Sequence, residues 1–64
     1  MVKLVVSNPN QITTLEEQLV RANIDFGMFL DMGHYGITPP YLVVDGVPLD
    51  MGRATKWIKE RMEE

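Results

Sequence analysis

The chemistry open to this chain is bounded first by a missing residue type: its 64 residues include no cysteine. There is no thiolate nucleophile, so neither thiol–disulfide exchange nor thiolate ligation of a metal is available. His34 is the single histidine. An imidazole catalyst needs a nucleophile or an orienting carboxylate, and Asp31 is the one acid near it in sequence. Standing between Gly33 and Gly36, His34 reads as an exposed loop residue, and no second strong ligand stands at metal-binding spacing. Four of the six basic residues, Arg53, Lys56, Lys59 and Arg61, lie close together, but Glu60, Glu63 and Glu64 interleave or follow. That mixture reads as a solvated helix face, with a phosphate patch the lesser reading. Thr13-Thr14 could offer free N–H groups to an anion, although helix capping explains both residues. No catalytic residue and no metal ligand emerges.

The elements that must position these groups follow from spacing. Val2 to Val6 is an apolar, β-branched run broken only by Lys3, suited to a central strand covered on both faces. Ser7-Asn8-Pro9-Asn10 ends it. Thr13 and Thr14 each precede a glutamate by three residues, Glu16 and Glu17, so either pair can open a helix as a capping box. Ile12, Leu15, Leu19 and Ala22 form its apolar stripe, and Asn23 suits a left-handed C-terminal position. Asp25 to Leu30 reads as a second strand with Phe26, Met28 and Leu30 on one face. The intervening helix is a crossover, which makes the first two strands parallel. Asp31 to Gly36 has room for one turn only. Tyr41 to Val44 is a third strand, Asp45-Gly46 a type I′ hairpin turn, and Val47-Pro48-Leu49 the return strand at a sheet edge. A last helix runs from Gly52 to Arg61, burying Ala54, Trp57, Ile58 and Met62.

The expected architecture is α/β: strand, helix, strand, turn, two-stranded hairpin, helix. The four strands make one mixed sheet, the two main helices accompany it, and residues 1–64 form a single domain. Such a chain buries only about 60% of its unfolded surface, and no disulfide staples it. A formal net charge of −3 disfavours nucleic acid as a partner. The N-terminal apolar run is too short for a signal peptide or membrane span, so a cytoplasmic chain without membrane attachment is expected.

The run Gly36-Ile37-Thr38-Pro39-Pro40-Tyr41-Leu42-Val43-Val44-Asp45-Gly46, together with Ile24-Asp25-Phe26, resembles the small glutaredoxin-like branch of the thioredoxin fold. The resemblance spans nearly the whole chain. It implies that Pro40 is cis and that the backbone around it pairs with an extended thiol peptide such as glutathione. It also implies that the second helix of the family is here reduced to a turn. Two registers place the family's Cys-x-x-Cys motif, at Pro9 to Ile12 or at Gln11 to Thr14, and neither holds a thiol. The family's Gly-Gly-Ser/Cys-Asp segment, which holds the glutathione carboxylate, is replaced by Asp50-Met51-Gly52-Arg53.

These features lead to a redox-inactive, glutaredoxin-like binding module that needs no cofactor. Its partner would be a protein or extended peptide docking near Pro9, Asn10, Thr38, Pro40 and Tyr41. The size and clipped fold suit a phage-encoded or accessory factor. The rival reading is a glutathione-binding, transferase-like enzyme acting through a bound thiol, with Arg53 supplying its anion site. A cysteine-replaced variant of an oxidoreductase is a third. Met28, Met32 and Met51, with Phe29 and Tyr35, read either as core filler or as an interface. Nothing from Asp25 to Leu30 guards that strand's edge with lysine or proline, so a homodimer through it is a further expectation.

Overall fold

A computed structural model describes residues 1–63. In chain order its elements are β1 (Val2–Val6), α1 (Thr14–Arg21), β2 (Gly27–Leu30), β3 (Tyr41–Val44), β4 (Val47–Leu49) and α2 (Met51–Met62). The strands form one mixed sheet in the order β2-β1-β3-β4. β1 is parallel to β2 and antiparallel to β3, and β4 is antiparallel to β3. This is the α/β architecture that the spacing of apolar residues predicts.

Alternation along the strands divides the sheet into two unlike faces. Leu4 stands between Met28 and Leu42, so this row points to one side. There Leu4, Val6 and Leu42 pack with Leu15 and Leu19 of α1 and Ala54 and Ile58 of α2 into the main core. Both helices therefore cover the same face. Val5 stands between Phe29 and Tyr41, and this row points the other way. On that side Val5, Tyr41 and Val43 make a smaller cluster against Ile37, with no helix over them. The expectation that β1 is covered on both faces is thus met unequally: two helices on one side, a loop on the other.

Local signals explain most element ends. Thr13 caps α1, its Oγ1 accepting from the Glu16 N–H at 3.0 Å. Asn23 follows the helix with φ of 58°, as its left-handed tolerance predicts. Asp45 and Gly46 have φ of 49° and 84°, the two positive values a type I′ turn requires. The Pro39–Pro40 bond is cis. Pro48 lies on edge strand β4, paired on one side only.

Four expectations need correction. Ile12 is 82% exposed, because α1 starts two residues later and Thr13 turns the chain before the stripe begins. β2 is shorter than Asp25 to Leu30: Asp25 and Phe26 precede its ladder, and Phe26 packs on the main core instead. α2 starts at Met51 and extends to Met62, because the Asp50 carboxylate accepts from the Arg53 N–H at 2.9 Å and caps it. Met62 is exposed rather than buried, one turn beyond Ile58, the last buried residue of the helix.

Candidate functional site

The register gathers the sequence-derived candidates at one end of the sheet. β1 leaves the sheet at Val6, and Pro9 and Asn10 follow in the connection to α1. β3 enters beside Val5 at Tyr41, directly after Thr38 and Pro40. β4 leaves beside Leu42 at Leu49, and Arg53 lies in the first turn of α2. Because β1 and β3 are antiparallel, as are β3 and β4, all three connections share that end.

The side chains differ in what they can offer there. Pro9 and Asn10 are exposed in a turn ordered by its own polar groups: Asn10 N–H donates to Asn8 Oδ1 at 2.9 Å, and Ser7 Oγ to Gln11 Oε1 at 3.0 Å. Thr38 is exposed and Pro40 half-buried. Tyr41 is only 1% exposed, and its hydroxyl donates to Asp31 Oδ1 at 3.1 Å. Burial first, and then this bond and charge of Asp31, push the Tyr41 phenol above its ordinary value. Tyr41 thus serves as a wall with its polar tip already engaged. Arg53 has an exposed side chain, and among the described residues no hydrogen bond or ion pair joins it to Thr38, Pro40 or Tyr41.

The structure adds a groove on the helix-free face. It encloses about 220 Å³, floored by Val5, Val43 and Tyr41 and walled by Phe29 and Tyr35, with Lys3 at one end. Tyr35 meets Tyr41 edge-on with ring centres 6.2 Å apart, and His34 meets Tyr35 edge-on at 6.5 Å. Asp31 does not orient His34; its Oδ1 accepts from Tyr41 and from the Gly33 N–H. The Lys3 ammonium sits over the Phe29 ring, 5.3 Å from its centre. Opposite Lys3 stands Gly27, where a Cβ would meet Phe29 Cε1 at 2.8 Å. The glycine therefore lets the Phe29 ring fold back along its own strand toward Lys3.

A smaller hollow of about 70 Å³ is lined by Val6, Pro9, Met28, Phe29 and Leu30, and shares Phe29 and Leu30 with the groove. It links Pro9 of the gathered sheet end to the outer strand. Met28, Phe29 and Leu30 are 39%, 43% and 50% exposed, so three consecutive large apolar residues lie open on edge strand β2. The sequence leaves Met28, Phe29 and Tyr35 open between core filler and an interface, and assigns no role to Lys3. Its signal was present: a lone lysine inside an apolar central strand.

Among the described residues no group of three histidine, aspartate or glutamate side chains is placed to hold a metal. The resemblance would hold a glutathione carboxylate at the start of α2. The Arg53 N–H at the α2 N-terminus is already taken by the chain's own Asp50. No helix of the described residues is long and apolar enough to cross a membrane. No family model matches this chain, and neither does any curated protein or solved structure.

Proposed function

We propose that this chain is a glutaredoxin-like binding module without redox chemistry, which takes up a protein or extended peptide segment beside the Thr38-Pro40-Tyr41 loop. The observation that carries the reading is the open face. An apolar groove there adjoins edge strand β2, whose outer backbone groups are unpaired and whose Met28, Phe29 and Leu30 are exposed. An edge strand next to an apolar groove suits strand addition: main-chain hydrogen bonds supply affinity and the groove receives alternate side chains. The glutaredoxin-like part of the reading rests on the matching element order and on the Thr38-Pro39-Pro40-Tyr41 segment ahead of β3. The absence of cysteine leaves binding, not thiol exchange, as the work for that loop.

The test is panning of phage-displayed random linear peptides, followed by amide NMR titration of enriched sequences into the isotope-labelled protein. Saturable shifts along Gly27 to Leu30 and at Val5 and Tyr41 support the reading. Shifts confined to the helical face, or no enrichment at all, overturn it. Reduced glutathione, titrated alongside, examines the enzymatic rival: saturable shifts at Thr38, Tyr41 and Arg53 would favour that alternative. The same edge could pair with a second copy, and sedimentation equilibrium at high micromolar concentration distinguishes this. A dimer whose β2 amides are protected from exchange assigns the edge to self-association; a monomer leaves it for the peptide.

A further inference from the structure

Building on that binding reading, we infer that the groove selects peptides bearing a carboxylate beside a large apolar side chain, with Lys3 as the specificity-determining residue. Lys3 occupies the central strand on a face otherwise made of Val5, Gly27, Phe29, Tyr41, Val43 and Pro48. A lysine in that position costs more side-chain entropy than an aliphatic residue would, and it adds partial desolvation of a charge. Among the described residues no carboxylate lies within ion-pair distance of its ammonium. Its one partner is the Phe29 ring, which Gly27 leaves room for. The ammonium is thus held over the groove by a ring and left without a counter-ion.

Charge decides the class of ligand. The groove supplies one cation and an aromatic wall, in a chain whose net charge is −3. A polyanion such as nucleic acid needs several phosphate contacts and would be repelled overall. A single carboxylate on an apolar peptide matches one ammonium beside an apolar groove. Direction follows as well. Asp31, directly after β2, stands at the end of that strand away from Gly27 and Lys3, so it disfavours a second acid there. The peptide acid therefore lies toward the Lys3 and Gly27 row.

The experiment compares two synthetic peptides, acetyl-Val-Phe-Val-Glu-amide and acetyl-Val-Phe-Val-Lys-amide, by amide NMR titration against the intact protein. The glutamate peptide is expected to bind about tenfold more tightly, the sum of one partly screened attraction and one like-charge repulsion. In K3Q the two peptides should bind alike, and in K3E the preference should invert. Raising the salt concentration should shrink the preference in the unaltered protein, a control that needs no variant. Equal affinities with shifts at Val5, Phe29 and Tyr41 would overturn the selectivity while leaving the binding reading intact. Shifts confined to other faces would overturn both. A glutamate preference that survives K3Q and K3E, with both variants folded by their amide spectra, would remove Lys3 from the role.

Discussion

The Tyr41 hydroxyl donates to Asp31 Oδ1 at 3.1 Å, joining the residue that opens β3 to the residue that follows β2. The same carboxylate oxygen accepts from the Gly33 N–H at 3.1 Å. Residues 31–40 contain neither helix nor strand, yet they form the roof of the small cluster and one wall of the groove. One buried phenol thus anchors the segment that takes the place of a covering helix. Edge-on contact between Tyr35 and Tyr41 continues the same anchorage outward.

Replacing Tyr41 with phenylalanine tests that anchor. The ring and its packing remain, and the hydroxyl bond is lost. Tyr41→Phe should lower stability by about 1 kcal/mol near neutral pH, measured by urea unfolding. The pH profile gives an independent sign. The folded-state phenol titrates above the ordinary tyrosine range, so the native state keeps its proton where the unfolded chain releases it. That contribution is fully present below pH about 10 and is lost as pH rises toward the folded value. The Tyr41→Phe variant should therefore show a shallower alkaline loss of stability. An unchanged alkaline slope would exclude this phenol as its source.

The unequal burial of two leucines in the sheet sets up a second comparison. Leu42 is fully buried between the helices and β1, whereas Leu30, in the outer strand, is half exposed. Leu42→Ala should cost about 2–5 kcal/mol. A 64-residue domain has roughly 3–10 kcal/mol in total, so this variant should lose a large share of its stability and unfold at a clearly lower temperature. Leu30→Ala should stay within about 1 kcal/mol of the parent, because little apolar area leaves the interior. Thermal denaturation followed by circular dichroism reads both. A Leu30→Ala loss as large as that of Leu42→Ala would mean that β2 is covered in solution, as strand pairing with a second copy would cover it.

Elements were legible where one local signal dominated. Asp45-Gly46 marks the hairpin because few other pairs accept two positive φ values, and Val2 to Val6 marks a central strand by an apolar, valine-rich run that only Lys3 interrupts. Boundaries failed where a cap competed with apolar periodicity. Ile12 fits the stripe of α1 by spacing, yet Thr13 ends the extended chain after it. Asp50 stands where the resemblance expects a ligand segment that this chain lacks, and an aspartate three residues before an available N–H is a cap. The groove was less legible still. It depends on Gly27, Phe29 and Lys3 meeting across two strands, and spacing within one strand carries no information about cross-strand neighbours.

The Asp50 cap carries its own test. Its carboxylate accepts the Arg53 N–H and also bears negative charge at the positive end of the twelve-residue α2. Asp50→Ala should lower stability by about 1 kcal/mol, and Asp50→Asn should recover most of this, since an amide oxygen can accept the same bond. If the N-terminus of α2 instead served an incoming carboxylate, removing Asp50 would raise affinity for reduced glutathione. Calorimetric titration of the alanine variant with glutathione should show no heat of binding, and saturable binding would revive the enzymatic reading.

Gly27 offers the sharpest probe of the open face. Its backbone does not lie in the left-handed region, so alanine is tolerated there by the main chain. The added Cβ would approach Phe29 Cε1 to 2.8 Å, the far part of a side chain that is 43% exposed and free to swing away. Gly27→Ala should therefore leave stability within about 0.5 kcal/mol of the parent while moving the ring off Lys3. The readout is the proton shifts of the Lys3 methylenes, which the Phe29 ring current should displace upfield in the parent. They should return toward ordinary values in Gly27→Ala, and equally in Phe29→Leu. If the shifts persist in Gly27→Ala but vanish in Phe29→Leu, the ring finds Lys3 without help from the glycine. If they persist in both, Phe29 does not hold the ammonium over the groove.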